Sequence, residues 1–226
     1  SQQETATKCQ TQIQQLTVQQ SQDEAALGAA NANLSAAKAT LAITPKTIKE
    51  GECGPNVKYT LYADIINPTK PVKAVIYTTG TNGEMDDYQD GEESPFHYDS
   101  LKEVSIGKGV VRIGSYAFAH CTSLTDISIA SSVISIGDGA FYFCTNLKNF
   151  QFPLNLTHIG RYAFAYSGIV DVTLYTPLDY CGERAFINCK SLNTVSFKTN
   201  ETEIASELFR YDSNLKKVNF VVFFVG

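Results

Sequence analysis

An apolar register that returns every 23 positions constrains this chain more than any other feature. Segments opening at Leu101, Leu124, Leu147, Ile169, Leu192 and Leu215 follow one another at spacings of 23, 23, 22, 23 and 23 residues. Each opens on an L-x-x-V-x-I pattern, from Leu101/Val104/Ile106 and Leu124/Ile127/Ile129 through Leu147/Phe150/Phe152 and Ile169/Val172/Leu174 to Leu192/Val195/Phe197 and Leu215/Val218/Phe220. The V-x-I half alternates as a half-buried strand does. A second apolar pair follows (Val110/Ile113, Val133/Ile136, Leu156/Ile159, Leu178/Cys181), then glycine at Gly114, Gly137, Gly160 and Gly182. Next comes Ala-Phe, at Ala117-Phe118, Ala140-Phe141, Ala163-Phe164 and Ala185-Phe186, weakening to Ala205 and Leu208-Phe209 in the fifth unit. One unit cannot bury its own apolar face, so units stack, leucine on leucine and phenylalanine on phenylalanine. The glycine column is read as a turn geometry that other residues resist, and the alanine as room beside the large ring.

Two regions precede the repeats. Residues 1–44 hold nine Gln and ten Ala, and no aromatic residue occurs before Tyr59. Ala, Gln and Leu favour helix, and Pro45 marks a stop. Leu27, Leu34 and Leu41 recur every seven residues, with Ala30 and Ala37 between them, as a thin coiled-coil-like seam. The expectation is a helix of about 30 residues, too poor in apolar side chains to be stable without a partner. Residues 45–100 read as a β-rich cap. Val57, Tyr59 and Leu61 alternate, Ala74 to Thr79 is a second strand, and Asn67-Pro68 and Pro71 lie in the turn between. Residues 101–226 form the solenoid.

The unit Ile113-Gly114-Ser-Tyr-Ala-Phe118-Ala-His-Cys121-Thr-Ser-Leu124 resembles the BspA-like leucine-rich repeat of bacterial and protist surface proteins. Cys53-Gly54-Pro-Asn-Val-Lys-Tyr-Thr-Leu61 and Gly83-Glu-Met85-Asp-Asp-Tyr88 resemble the segment that often caps such arrays. The resemblance covers residues 51–226. Residues 62–72 depart from it as an insertion, Phe96 stands where Trp is often found, and the 1–44 segment lies outside it. It implies an α+β solenoid, a leucine-rich repeat of 23-residue period with a β-rich N-terminal cap, preceded here by the long helix. It also implies extracellular or cell-surface location and adhesion, through no fixed binding residues.

Chemistry-bearing residues are sparse. The net charge of −5, without a basic stripe, argues against a nucleic-acid partner. The apolar run Val221 to Val225 is too short to span a bilayer. The six cysteines form no CxxC pair, and no metal or other cofactor is expected. Cys121, Cys144 and Cys189 share one column, with Ser167 filling it in the third unit, and read as buried thiols rather than an inter-rung disulfide. Cys9 falls in the register of the heptad seam; an interchain disulfide and a bond to Cys53 are both open. Glu84 to Asp99 holds seven acids and neither Lys nor Arg, without the spacing of a calcium loop, and reads as a solvated acidic loop. His120 and His158 lie in different columns with no nucleophile placed beside them, so no catalytic residues are nominated and the chain is not read as an enzyme. Sequons at Asn33, Asn155 and Asn200 are candidate N-glycosylation sites.

The outward strand positions, among them Lys102, Glu103, Ser105, Asp126, Ser128, Lys148, Asp171, Ser196 and Asn219, form a polar concave face with no Trp, Tyr or Arg. Protein hot spots favour those residues. Tyrosines gather elsewhere, at Tyr116, Tyr142, Tyr162, Tyr166 and Tyr180. A solenoid whose last rung is unprotected exposes apolar core, and Phe220-Val-Val-Phe-Phe-Val-Gly226 carries no charge or Pro to guard a strand edge. Leu27, Leu34, Leu41, Phe220, Val222 and Phe224 are therefore candidate assembly contacts. The expected function is a non-enzymatic extracellular structural or adhesive protein that binds other copies of itself or another surface protein, in a head-to-tail filament. The alternative is a monomeric receptor-like ectodomain recognising a glycan or matrix protein through the concave face.

Overall fold

The computed structural model describes residues 46–64, 66–90, 94–197 and 205–220. The expected helix over 1–44, with its heptad seam and Cys9, lies outside them. Four strands precede the repeats: β1 (Lys46–Glu52), β2 (Val57–Ala63), β3 (Pro71–Thr78) and β4 (Gly83–Glu84). The repeats carry β5 (Glu103–Ile106), β6 (Val110–Ile113), β7 (Asp126–Ile129), β8 (Ser135–Ile136), β9 (His158–Ile159), β10 (Asp171–Leu174), β11 (Tyr180–Cys181), β12 (Thr194–Phe197) and β13 (Lys217–Phe220).

Each rung has three sides. The first is the V-x-I strand, stacked in parallel with residues one repeat apart in register: Val104 pairs with Ile127, and Val195 with Val218. The second is a shorter strand, giving a parallel sheet ordered β11-β9-β8-β6-β4. The third is where an α+β fold would place a helix, and the structure corrects that expectation: among the described residues there is no helix. The Ser115–Cys121 segment is instead a run of turns in which two residues four apart, Tyr116 (φ 53°) and His120 (φ 59°), adopt the left-handed conformation. This backbone aims successive N–H groups in different directions. Tyr116, Phe118 and His120 donate to Asp138, Ala140 and Tyr142 of the next rung at 2.8, 2.9 and 2.7 Å, while Ala119 and Cys121 close turns on their own rung. Hydrogen bonds between rungs thus replace the i→i−4 bonds of a helix.

The glycine column is also corrected. Gly114, Gly137, Gly160 and Gly182 do not have positive φ. They are small because the rungs touch there: a Cβ on Gly160 would sit 2.4 Å from the Asp138 nitrogen, and one on Gly182 2.3 Å from that of Arg161.

The core is a column of rings. Phe96, Phe118, Phe141, Phe164, Phe186 and Phe209 follow one another at centroid distances of 4.9, 5.5, 5.3, 5.2 and 5.8 Å. Phe96 carries the column into the cap, and Tyr59 of β2 closes it edge-on at 5.3 Å. In the cap β1, β2 and β3 are antiparallel, and β3 then pairs in parallel with β5. The cap thereby converts a hairpin edge into the first solenoid rung. Strand β1 carries no apolar alternation (KTIKEGE), which is why only β2 and β3 are legible in the sequence.

The first-side sheet is interrupted. It runs β1-β2-β3-β5-β7, stops, and resumes as β10-β12-β13. In the third rung, Phe150 stands where the other rungs have Val or Ile, and Phe152 follows it at a position that is also Phe in the last two rungs. They are buried against Phe141, Phe164 and Phe186, and no strand forms there. Ile127 and Ile129 of β7, with no strand on that side, are only half-buried.

Candidate functional site

The cysteine column consists of free, buried thiols. Cys121, Cys144 and Cys189 donate to the carbonyl oxygens of Phe96, Phe118 and Phe164 at 3.2, 3.1 and 3.0 Å. Burial pushes Cys121 and Cys189 up to about 12, so these thiols are not nucleophiles at neutral pH. Asp212 continues the same column in the fifth unit. Its Oδ1 accepts from the Cys189 N–H at 2.7 Å, its Oδ2 has no partner, and burial pushes its carboxyl up to about 7. The sequence reading missed this buried acid because the weakened fifth unit hid its column.

The residues nominated from sequence scatter. Asn33, Asn200, Leu27, Leu34, Leu41, Cys9, Val222 and Phe224 lie outside the described residues. Asn155 is exposed, with its side-chain amide donating to the Ser131 carbonyl at 3.1 Å. Cys53 is fully buried and pushed up to about 12. Phe220 is 48% exposed and stacks on Phe197 at 5.1 Å, and Val218 beside it is 40% exposed. The concave face is polar as expected, with Ser128 bonded to Ser105 and Asn219 to Ser196 across rungs.

Tyr142 and Tyr166 belong to a second aromatic column, on the outside of the turn ladder, with Tyr116 edge-on to Tyr142, while Tyr180 lies on β11 beside His158. His120 stacks on Phe143 at 5.4 Å, and Phe143 on Tyr166 at 4.6 Å, with Tyr142 edge-on to all three. Every member of the stack has positive φ. Such backbone is unfavourable for side chains of this size. A charged ladder runs beside it: Arg161 pairs with Glu183 at 3.0 Å, and Glu207 accepts from both Arg184 and Arg210. Arg184 also donates to the Tyr162 hydroxyl at 2.7 Å. Next to the stack lies an open recess of about 240 Å³, lined by Phe143, Thr145, Tyr166, Ser167, Gly168, Asn188, Lys190 and Ser191. Among the described residues no group of three or more His, Cys, Asp or Glu side chains is placed to hold a metal, and no helix is long and apolar enough to cross a membrane.

A family model described as the BspA type leucine-rich repeat region matches residues 92–221 in six copies. The crystal structure of a T. pallidum leucine-rich repeat protein is similar at 27% identity over 66% of this chain and 78% of that one, with a TM-score of 0.53. A leucine-rich repeat protein from Eubacterium ventriosum aligns with a TM-score of 0.61 at 23% identity, over 77% of this chain and 44% of that one. One from Bacteroides ovatus gives 0.58 at 24%, over 78% and 46%. The chain thus spans less than half the length of these last two. No curated protein matches the chain.

Proposed function

Because the chain belongs to the BspA-type leucine-rich repeat family, we propose that it is a non-enzymatic protein of the cell surface or extracellular space that works by protein–protein interaction. The partner in this reading is a second copy of the chain or another surface protein, met end-on. The observation that carries it is the last described rung, where β13 presents Val218 and Phe220 at 40% and 48% exposure and pairs only with β12 among the described strands. An apolar strand edge of this kind is a template for pairing. A head-to-tail contact of this type extends into a filament unless its rotation closes a ring. A monomeric receptor that recognises a glycan or matrix protein is the alternative, supported by the polar, hydrogen-bonded concave row.

Light scattering and negative-stain imaging of the native chain distinguish the two. Concentration-dependent assemblies that Phe220→Asp abolishes are the expected result. A monomer at every concentration, unaffected by Phe220→Asp, sinks the assembly reading and leaves the receptor.

A further inference from the structure

The repeat departs from its own pattern twice at one corner, and the two departures create the 240 Å³ recess. The first is in the outer aromatic column, which runs His120, Phe143, Tyr166, Asn188, Tyr211. Phe143 lies stacked between His120 and Tyr166. Tyr166 is the last ring of that stack, because the position that would cover its second face carries Asn188. The second departure is at the residue before each leading apolar position: Ser123, Asn146, Gly168, Ser191, Asn214. Where this residue is Asn, its amide bridges to the rung before: Asn146 donates to the Thr122 carbonyl at 2.7 Å, and Asn214 to that of Lys190 at 2.5 Å. Between those bridges the corner carries Gly168, in the one rung shortened to 22 residues, and Ser191. Gly168 packs so closely that a Cβ would lie 2.2 Å from the Thr145 carbonyl oxygen. The corner is therefore cut back, not merely loosely filled.

The recess joins an aromatic wall (Phe143, Tyr166) to a rim of Thr145, Asn188, Lys190 and Ser191. None of those four rim side chains has a hydrogen-bond or ion-pair partner among the described residues. The recess is thus lined by two hydroxyl-bearing side chains, an amide and an ammonium group beside an aromatic wall. An apolar side chain of a peptide would leave that rim unpaired, at a cost for each group it desolvates. The volume is below the roughly 300 Å³ at which drug-sized sites begin, and so suits a single ring-sized ligand. A pyranose presents an apolar C–H face to an aromatic ring and hydroxyls to a polar rim, and an ammonium group favours a sugar that carries a carboxylate.

We propose that this corner is a binding subsite for one acidic sugar residue of a glycan, with Tyr166 as the stacking platform, Asn188, Thr145 and Ser191 bonding to hydroxyls, and Lys190 pairing with the carboxylate. It lies on the outer side of the turn ladder, separate from both the concave row and β13, and does not depend on the end-on contact.

The test is ligand-observed NMR titration of the full chain with methyl β-D-glucuronide and the neutral methyl β-D-glucoside. For so small a ligand the expected dissociation constant of the glucuronide is on the order of 1 mM, with the glucoside about fivefold weaker or more. Asn188→Tyr continues the aromatic column with a residue type that Tyr166 and Tyr211 already place in it at a similar positive φ, so it fills the recess, and glucuronide binding should fall at least about tenfold. Tyr166→Ala should do the same, and Lys190→Gln should erase the preference for the acidic sugar. The proposal is overturned if neither sugar binds saturably, if the glucoside binds as well as the glucuronide, or if Asn188→Tyr, with an unchanged melting temperature, leaves binding intact. Binding of tyrosinamide, but of neither sugar, in a manner lost in Asn188→Tyr would overturn it in favour of a peptide side chain.

Discussion

Single residues divide into those fixed by contact between rungs and those fixed by backbone conformation, and the two kinds of glycine show the difference. Gly160 has ordinary φ and no room, while Gly139 has φ of 58° in a column whose other members are Tyr116, Tyr162, Arg184 and Glu207. Gly160→Ala should force the rungs apart and cost about 3 kcal/mol, whereas Gly139→Ala should cost about 1 kcal/mol, since its obstruction is the movable Tyr116 ring. Urea unfolding of the two variants checks the order. Asp212 is the residue with a pH signature. Its folded carboxyl titrates at about 7 against 3.8 for an ordinary aspartate. The folded state therefore holds the proton more tightly, so stability is full below about pH 4 and is lost as pH rises towards 7. The loss is on the order of 2–4 kcal/mol. Melting curves between those limits should fall with pH for the parent chain and stay flat for Asp212→Asn, which keeps the acceptor for the Cys189 N–H. A flat parent curve would mean that the carboxylate is satisfied in the fold.

Elements matter here through what they stack on. Phe164 touches Phe141, Phe150, Phe152 and Phe186, the densest ring cluster of the column. Phe164→Ala removes the centre of that cluster in a rung with no first-side strand to compensate, and should cost about 3–5 kcal/mol by calorimetry or denaturant titration. The third rung was legible as a repeat, since Leu147, Phe150 and Phe152 keep the spacing. Its missing strand was not legible, because alternation reports which side chains face inward and not whether two bulky rings leave the backbone in register with its neighbours. The turn ladder is a similar case. A sequence such as Ser-Tyr-Ala-Phe-Ala-His carries no glycine to announce left-handed backbone, yet Tyr116 and His120 adopt it, held there by the hydrogen bonds of the adjacent rung.

At the scale of the whole molecule, each rung contacts its neighbours alone, so stability is a sum over interfaces. The first and last rungs among the described residues differ. Tyr59 and the antiparallel strands close the front of the ring column, while β13 leaves Val218 and Phe220 exposed at the back. Hydrogen exchange should therefore be slowest at the amides of Phe141 and Phe164, which bond across central rungs at 2.7 and 2.8 Å, and fastest along β13. Equal protection along the array would argue against independent rungs. The same one-dimensional logic explains the recess: a deletion in one rung and a substitution in the next meet at one corner because the stack places them side by side.

Read alone, the 23-residue spacing determined the solenoid, the number of rungs and the inward columns, because each apolar position must stack on its own copy in the next rung, while the family came from the resemblance of the Ile113–Leu124 unit. The packed structure decided the rest: that the third side is a left-handed turn ladder instead of a helix, that the glycines serve close approach instead of turning, that the first-side sheet breaks at Phe150 and Phe152, and that Asn188 and Gly168 open a recess together. These depend on distances between rungs, and a linear pattern specifies which residues meet without specifying how closely.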